Sequence, residues 1–288
     1  MKVVVTGGAG FLGSALVDRL LAEGHAVDVI DDLSTGRLDN LAEARADRSN
    51  QLSISHFDIR QSEVVEVLVR REPEIVFHLA GRDGTDPVTD AEITVLGTLR
   101  VLEAARQAGT RKVVFASSAS IYGEAEKLPI RESQPQRPVS PTGVAKKAAT
   151  DYLASYREVH GIEFTALALG SVYGPRSQRG VVAAFLRGGR TVHGDGAQTR
   201  DFVFVDDAVD AFVRAAERGS GLTVNVGTGC ETTVLDLLAL VTEAEPVFED
   251  ARPGDRRRSV LDAGRARIHL GWSPWTSLED GLRQTRSA

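Results

Sequence analysis

The sequence predicts an α/β protein, a doubly wound parallel sheet with helices on both faces and a smaller C-terminal lobe. Three observations support this fold class. Short β-branched apolar runs alternate with longer segments of helical periodicity through the first two-thirds of the chain. The first apolar run passes through closely spaced glycines into a helical segment. After Gly170 the alternation loosens, and glycine-containing turns separate shorter segments.

The individual elements have recognisable boundaries. The apolar run over 2–6 predicts a buried strand, and the helical spacing after it continues until Gly24 ends the pattern. Further strands are predicted over 26–30, 52–57, 74–79, 112–116 and 163–169, and further helices over 61–71, 91–108 and 144–160. In the C-terminal part, we expect helices over 206–218 and 233–243, and a strand over 222–226 that returns to the main sheet.

Three glycines, Gly7, Gly10 and Gly13, separate the first strand from the first helix. Glycines let the backbone turn tightly and approach a pyrophosphate, and the helix N-terminus supplies free N–H groups and a positive dipole end. The next strand leads into Asp31, at about the distance expected for the acid that binds a ribose 2′-OH. An ordinary glycine-rich strand–helix turn is the alternative, but the whole pattern favours a Rossmann-type dinucleotide site.

Composition narrows the class of protein. The 288 residues suffice for one large or two modest domains, and the net charge of -6 argues against a nucleic-acid partner. No apolar run is long enough to cross a bilayer, so no membrane partner is expected. Cys230 is the only cysteine, which excludes an internal disulfide and a thiolate metal cage, and no metal is expected. The chain begins directly with a strand, so we expect a cytoplasmic enzyme without a signal peptide.

Motifs along the whole chain carry a resemblance to one family. They are, in chain order, TGGAGFLG, DDLSTG, DIR, HLAG, FASSASIYG, SVYGPR, GDGAQTRDFVFVDD, NVGTG and RPGD. The chain resembles the extended short-chain dehydrogenase/reductases of the nucleotide-sugar epimerase and dehydratase group, and most of all the UDP-galactose and UDP-glucuronate 4-epimerases. Members of this family keep NAD bound, remove a hydride from a sugar carbon and return it to one face of the keto intermediate.

The resemblance implies NAD as cofactor and a homodimer that pairs through the helices over 91–108 and 144–160. It places the NAD-binding domain at 1–169, with 201–228 included, and the nucleotide-sugar lobe at 170–288. A carboxylate at Asp31 would repel a 2′-phosphate, which favours NAD over NADP. The implied cofactor-binding residues are Gly7, Gly10, Phe11, Leu12, Asp31, Asp32, Leu33, Ser34, Asp58, Ile59, Leu79, Ala80, Gly81 and Lys146.

The resemblance also implies a nucleotide-diphosphate sugar, most simply a UDP-sugar, as substrate. Arg200 and Arg252 match the family's diphosphate-contacting arginines, and a guanidinium group can bind two phosphate oxygens at once. Asp255 matches a position near the nucleotide ribose, and Ser171 lies where the family often has an asparagine that faces the sugar. We interpret the run over 256–258 as a solvated basic surface.

The chain departs from the family at its catalytic Tyr-x-x-x-Lys pair. Lys146 is present, but Thr142 occupies the tyrosine position, four residues before it on one helix face. Ser140 is expected to cap this helix. A phenol can be shifted towards neutrality, whereas an aliphatic hydroxyl is a poor general base unless another base serves it. Ser118, the hydroxyl expected beside the reacting sugar, is retained.

Other differences also concern the sugar end. Thr94 replaces another frequent asparagine, and the loops over 81–87 and 176–180 are shorter than is usual. A water, Tyr122 or Tyr173 are possible replacement proton carriers, although we interpret both tyrosines as packing residues. No G-x-S-x-G motif surrounds Ser118, which argues against a serine hydrolase.

We therefore expect an NAD-dependent epimerase-type enzyme that oxidises a sugar carbon, C4 by resemblance, with Ser118, Thr142 and Lys146 as its catalytic residues. Little interconversion of UDP-glucose and UDP-galactose is expected unless another base serves Thr142. A nucleotide-sugar keto-reductase or dehydratase is the first alternative. A catalytically weak or disabled protein that binds NAD and a nucleotide sugar is the second.

Overall fold

The computed structural model of the chain describes residues 1–46, 51–81, 84, 86–252 and 254–287. The first part alternates strands and helices. In order these are β1 (Lys2–Thr6), α1 (Phe11–Ala22), β2 (Ala26–Asp31), a 3₁₀ turn (Leu38–Leu41), α2 (Ala42–Ala46), β3 (Leu52–His56), α3 (Glu63–Arg71) and β4 (Ile75–His78).

The alternation continues through a long composite helix. Here α4 (Pro87–Asp90) runs through a π-helical stretch (Ala91–Leu96) into α5 (Gly97–Gln107). It is followed by β5 (Lys112–Ser118), a 3₁₀ turn (Ala119–Tyr122), α6 (Pro141–His160) and β6 (Glu163–Leu169). The helix predicted over 91–108 thus begins four residues earlier, because Asp86 caps it by accepting from two backbone N–H groups and Pro87 occupies its first position.

The C-terminal part contains shorter elements. They are β7 (Ser171–Tyr173), α7 (Gly180–Leu186), β8 (Thr191–His193), β9 (Thr199–Arg200), β10 (Phe202–Phe204), α8 (Val205–Glu217), β11 (Leu222–Val226), β12 (Thr232–Thr233), α9 (Val234–Val241), β13 (Val247–Glu249), α10 (Gly264–His269) and α11 (Leu278–Ser287). Outside the main sheet, β7 pairs with β10, β9 with β12 and β8 with β13. The prediction of short strands and turns after Gly170 is confirmed.

The main sheet has seven strands in the order β11-β6-β5-β4-β1-β2-β3, and the pairs within it are parallel. The predicted doubly wound fold is confirmed, including the return of residues 222–226 beside β6. The chain passes from β1 to β2 on one side and later to β4 on the other. Ligands of such sheets bind outside the carboxyl ends of the strands, where this order reverses.

Apolar side chains cover both faces of the sheet. Val3 and Val5 pack with residues of α1 and α8, whereas Val4 packs with residues of α3 and α5. This alternation follows the two-residue period of a strand, and a strand buried on both faces explains the unbroken apolar run in the sequence. In the described ranges, no helix combines the length and hydropathy that crossing a bilayer requires.

One buried carboxylate joins the C-terminal segments. Asp201 is 1% exposed and accepts hydrogen bonds from the backbone N–H groups of Thr228, Gly229 and Leu261, at 2.8, 3.2 and 3.0 Å. Burial raises the pKa of Asp201, and these bonds oppose the shift. These hydrogen bonds to Asp201 hold the β9–β10 segment against the end of β11, and they thereby fix the position of Arg200.

Candidate active site

A cleft of about 820 Å³, open to solvent, lies at the carboxyl ends of β1, β2, β4 and β5. It is lined by Gly7, Gly10, Phe11, Leu12, Gly13, Ile30, Asp31, Asp32, Ser34, Thr35, Asp58, Ile59, Leu79, Ala80, Gly81, Ile93 and Ala116. The structure thus brings together all the predicted cofactor-binding residues except Leu33 and Lys146. Two lining residues, Thr35 and Ile93, were not predicted from the sequence. Thr35 directly follows the predicted residue Ser34, whereas no local sequence pattern points to Ile93.

The glycine turn is closely packed on one side and open towards the cleft. Gly7 has a φ of +72°, and a Cβ there would lie 2.7 Å from the backbone nitrogen of Ala80. A Cβ on Gly13 would lie 2.1 Å from the carbonyl oxygen of Gly7. Gly10 precedes α1 without a side-chain cap. The first N–H groups of α1 have no partner within the helix, so they can bind an anion in the cleft.

Asp31 connects the glycine turn with the turn after β2. One carboxylate oxygen accepts from the backbone N–H of Ala9 at 2.9 Å, and the other accepts from that of Leu33 at 2.8 Å. Leu33 therefore contributes its backbone rather than a cleft-lining side chain. Burial raises the pKa of Asp31, while the two hydrogen bonds oppose this shift. Each carboxylate oxygen retains a lone pair for a further donor, such as a ribose hydroxyl.

Asp58 is engaged by a neighbouring side chain. The guanidinium group of Arg60 donates to both of its oxygens at 2.6 to 3.0 Å and also to Glu92 at 3.0 Å. The hydrogen bonds from Arg60 lower the pKa of Asp58. The predicted adenine contact of Asp58 therefore competes with this ion pair. Ile59 is buried and lies against Gly97, where a Cβ would come within 2.6 Å of Ile59 Cδ1.

A directional chain of hydrogen bonds supports the cleft below β4. Thr98 Oγ1 donates to the carbonyl oxygen of Thr94 at 2.5 Å, so it accepts from His78 Nε2 at 2.9 Å. His78 Nδ1 then accepts from Thr6 Oγ1 at 2.7 Å, and Thr6 Oγ1 accepts from the backbone N–H of Ala80 at 3.3 Å. Burial lowers the pKa of His78 to about 3. The imidazole is therefore neutral, and its tautomer is set by its neighbours.

Lys146 lies at the end of the cleft near β5. Its Nζ donates to the carbonyl oxygen of Ala116 at 2.7 Å and lies 4.8 Å from the centroid of the Phe115 ring. A Cβ on Gly81 would lie 2.9 Å from the same Nζ. Ala116 and Gly81 both line the cleft. The ammonium group is thus held just behind the cleft wall.

Thr142 lies in the first turn of α6, one turn before Lys146. The side chain of Ser140 caps the helix by accepting from the backbone N–H of Gly143 at 3.2 Å, as predicted. Thr142 is 6% exposed, and its Oγ1 lies 2.9 Å from Asp90 Oδ2 and 3.2 Å from the carbonyl oxygen of Gly84. Sequence reasoning did not find Asp90, since Asp90 and Thr142 are 52 residues apart.

Ser118 lies close to the start of α6. Its Oγ accepts from the backbone N–H of Ser120 at 3.1 Å and from Ser120 Oγ at 2.9 Å, so its own proton is used in neither bond. A Cβ on Gly143 would lie 2.5 Å from the carbonyl oxygen of Ser120. The absence of a side chain at Gly143 therefore lets the first turn of α6 approach the turn that follows Ser118.

The two tyrosines considered as proton carriers have other partners. The hydroxyl of Tyr122 donates to Asn225 Oδ1 at 2.7 Å, and that of Tyr173 donates to the carbonyl oxygen of Leu278 at 3.2 Å. Both side chains are buried, and burial raises the pKa of each phenol. Their interpretation as packing residues is confirmed.

Arg200 and Asp255, both predicted to bind the nucleotide, form an ion pair. Arg200 also donates to the carbonyl oxygens of Thr199 at 2.6 Å and Arg256 at 2.9 Å. Ser171, at the start of β7, is tied through its backbone N–H to the carbonyl oxygen of Asp201 at 2.7 Å. Arg200 is thus held by several partners in a set orientation.

Arg252 is more exposed and contacts His193 Nε2 at 2.7 Å. The predicted basic surface over 256–258 is only partly correct. Arg257 and Arg258 are exposed, but Arg257 pairs with Asp195 at 2.6 Å and Arg258 pairs with Glu231 at 2.5 Å. These ion pairs join the loops of the C-terminal part, and they offset the positive charge that the sequence suggests.

Residues 3–227 match the model of the NAD dependent epimerase/dehydratase family. Among curated proteins, the chain is 45% identical to the UDP-glucose 4-epimerase of Mycolicibacterium smegmatis, a match that covers 99% of this chain and 97% of that protein. The alignment extends over 306 positions, whereas the chain has 288 residues. Parts of the relative are therefore absent from this chain.

Two solved structures are similar over the full length of the chain. The UDP-glucose 4-epimerase of Thermotoga maritima with UDP-glucose has a TM-score of 0.94 and 38% identity, covering 100% of this chain and 98% of that one. The UDP-glucose 4-epimerase of Thermus thermophilus in complex with NAD has a TM-score of 0.91 and 37% identity, with the same coverage. Both similarities agree with the predicted fold, and the second also agrees with the predicted cofactor.

Proposed function

The chain belongs to the NAD dependent epimerase/dehydratase family, and we propose that it is a UDP-sugar 4-epimerase in which Thr142 takes the place of the family's tyrosine. The names of its relatives support a UDP-sugar as substrate. The observation that carries the proposal is that Lys146 Nζ lies against Gly81 and Ala116 in the wall of the cleft that the predicted cofactor residues line, with Thr142 one turn before it on the same helix.

The residues of the cleft fit NAD, the cofactor of the family. The N–H groups at the start of α1 would hold the pyrophosphate, because no side chain at Gly10 covers them. Asp31 would accept a hydrogen bond from the adenosine ribose, and Lys146 would hold the nicotinamide ribose. A bound NAD would supply the hydride acceptor for oxidation of the sugar and the hydride donor for its reduction.

The other side chains would orient the sugar and handle its proton. Ser118 can donate its unused proton to the reacting oxygen. Lys146 supplies a positive charge that favours an oxyanion in its vicinity. Thr142 can contact the same oxygen but cannot hold its proton alone, since an aliphatic hydroxyl is a poor base.

The C-terminal lobe would bind the nucleotide. Arg200 and Arg252 are proposed to contact the diphosphate, and Asp255 is proposed to orient Arg200 and to lie near the ribose. With this assignment, residues 1–169 and 201–228 form the NAD-binding part, and the rest of 170–288 forms the substrate lobe. A homodimer and a cytoplasmic location also remain predictions.

The test is to incubate the purified, NAD-loaded protein with UDP-galactose or UDP-glucose and to separate the products. We expect interconversion without net formation of NADH. Lys146→Met should abolish it while UDP binding persists, since the arginines are unchanged. Absence of interconversion in a protein that binds both NAD and UDP would contradict the proposal.

The threonine at position 142 supports a second candidate function, in which the protein binds NAD and a nucleotide sugar with little turnover. A hydroxyl without a base would lose the general-base contribution, typically about 10²–10⁴-fold. The same experiment separates the two functions, because a binding protein retains both ligands but forms no product. Net oxidation of added NADH with a keto-sugar would instead indicate the keto-reductase.

A further inference from the structure

A buried carboxylate lies directly beside the hydroxyl that replaces the tyrosine. Asp90, the last residue of α4, is 1% exposed. Its Oδ2 accepts from Thr142 Oγ1 at 2.9 Å, closer than the carbonyl oxygen of Gly84 at 3.2 Å. Because a hydroxyl has one proton, the shorter contact to the carboxylate is the bond that Thr142 donates.

The second oxygen of this carboxylate is unpaired. Within the ranges that the structure describes, Asp90 Oδ1 has no hydrogen-bond partner, and neither has Thr94 Oγ1 on the next turn of the same helix. Thr94 is also 1% exposed. Buried polar atoms are nearly always paired, so two unpaired oxygens this close in the sequence call for an explanation beyond packing.

The same helix face reaches the cleft. A Cβ on Gly81 would lie 3.7 Å from Thr94 Oγ1 and 2.9 Å from Lys146 Nζ, so these two groups flank the same point of the cleft wall. Asp90 is one turn before Thr94, and Thr142 is one turn before Lys146. The buried pair therefore lies one turn behind the groups that border the cleft.

We infer that Asp90 is the proton acceptor of the reaction and that Thr142 connects it to the sugar, an inference that rests on the proposed function. As the sugar C–H bond breaks and its electron pair leaves as hydride to NAD, the sugar hydroxyl gives its proton to Thr142 Oγ1. Thr142 gives its own proton to Asp90 Oδ2, and a ketone and a neutral carboxyl group result. Both protons move back when the hydride returns.

The neighbouring groups are less suited to this role. Ser118 accepts from Ser120, and neither partner is a base. Lys146 is a cation that donates to the carbonyl oxygen of Ala116. The phenols of Tyr122 and Tyr173 donate to other partners, and burial disfavours their ionised forms. A carboxylate bonded to Thr142 supplies the base that this hydroxyl needs.

The first experiment replaces the carboxylate by an amide of the same shape. In Asp90→Asn the amide oxygen still accepts from Thr142, but it cannot take a proton. We expect turnover of UDP-galactose to fall about 10²–10⁴-fold, with the affinities for NAD and UDP unchanged. Asp210→Asn is the matched control, because Asp210 is also a buried aspartate but pairs with Arg214 on α8. Its turnover per folded molecule should equal that of the wild type.

Variants of Thr142 test whether this residue transfers the proton from the sugar to Asp90. Thr142→Ser keeps the hydroxyl and should retain turnover within about tenfold, whereas Thr142→Val should lose as much as Asp90→Asn. Because the two residues act as one unit, the double variant should lose no more than either single variant. Additive losses, or an unchanged rate in Asp90→Asn, would overturn the inference while leaving the epimerase activity in place.

An infrared difference spectrum provides a measurement that does not depend on turnover. In the difference between the spectra of the resting wild type and Asp90→Asn at neutral pH, we expect the band of an ionised carboxylate. A protonated acid band would overturn the inference, because a neutral carboxyl group cannot accept the proton. A wild type that converts no UDP-hexose would instead overturn the proposed function, and this inference with it.

Discussion

At the scale of single residues, Asp31 combines a structural role with an expected role in cofactor selection. Its carboxylate holds the backbone N–H groups of Ala9 and Leu33, which brings the glycine turn and the β2 turn together. The same charge faces the cleft, and a 2′-phosphate there would meet an anion that is already buried. The carboxylate thus shapes the cleft, and we expect it to discriminate between the two cofactors.

We therefore predict that NAD binds at least about tenfold more tightly than NADP, since one unfavourable buried charge costs more than ~1.4 kcal/mol. Titration of cofactor-free protein with both dinucleotides measures this ratio. Asp31→Asn should reduce it, because the amide keeps an acceptor oxygen without the charge. Equal affinities in the wild type would remove Asp31 from this role.

His78 should make the stability of the protein depend on pH. Burial lowers its pKa in the folded state to about 3, below the ordinary value of 6.5, so the unfolded chain binds the proton more readily. Stability contributed by neutral His78 is complete above pH 6.5 and is lost as the pH falls towards 3, by up to about 1.4 kcal/mol per pH unit.

The measurement is urea denaturation of the wild type and His78→Gln from pH 7 to pH 4. The variant should be less stable at pH 7, since it disturbs the hydrogen bonds with Thr6 and Thr98. Its stability should nevertheless decline less steeply in acid. Parallel declines would show that other groups dominate the acid sensitivity.

At the scale of the elements, the loops of the C-terminal part hold Arg200 and Arg252 differently. Arg200 is bonded to Asp255 and to two carbonyl oxygens, whereas Arg252 contacts His193 and is exposed. We therefore expect that removal of Arg200 weakens both nucleotide binding and the packing of these loops. Removal of Arg252 is expected to weaken mainly nucleotide binding.

We predict that Arg200→Ala and Arg252→Ala each weaken UDP binding by about 1.5–3 kcal/mol, the range for hydrogen bonds to charged groups. Only Arg200→Ala should also lower the Tm. Calorimetry with UDP and with NAD is the measurement, and the affinity for NAD should stay constant. Arg257→Ala is the control, because Arg257 is exposed and pairs with Asp195. Lost NAD binding with unchanged UDP binding would reverse the assignment of the lobes.

The elements also show where sequence reasoning succeeds. Strand β1, the glycine turn and α1 were predictable, because each signal is local and the apolar run is continuous. The start of α4 was missed, although Asp86 and Pro87 form a recognisable N-terminus, because the helical pattern is clearest only after Ala91. The bond between Asp90 and Thr142 could not be predicted, since only the packed fold brings the two helices together.

For the molecule as a whole, the oligomeric state can be related to the exposed surface of α6 and of the composite helix α4–α5. Exposed apolar side chains occur at Leu96, Val144, Tyr152 and Val159. Such residues on neighbouring helices are compatible with the homodimer that the resemblance implies. A single exposed apolar residue is normal on a protein surface, so the oligomeric state must be measured in solution.

We predict a dimer at micromolar concentration, measured by sedimentation equilibrium. Val159→Glu, which places a charge on the 69% exposed Val159 of α6, should shift the mass towards the monomer. Val69→Glu is the matched control, since Val69 is an exposed apolar residue on α3 and should leave the mass unchanged. A wild-type protein that is only monomeric would refute the prediction.

The π-helical stretch between α4 and α5 sets the rotational phase of one long helix. A π turn holds more residues than an α turn, so the two ends are rotated relative to an uninterrupted α-helix. Asp90 can therefore face Thr142 while Gly97 faces Ile59 in the core. Deleting one residue from 91–96 would turn Asp90 by about 100° away from its partner. The position of this carboxylate is thus encoded in the length of the helix as well as in the residue itself.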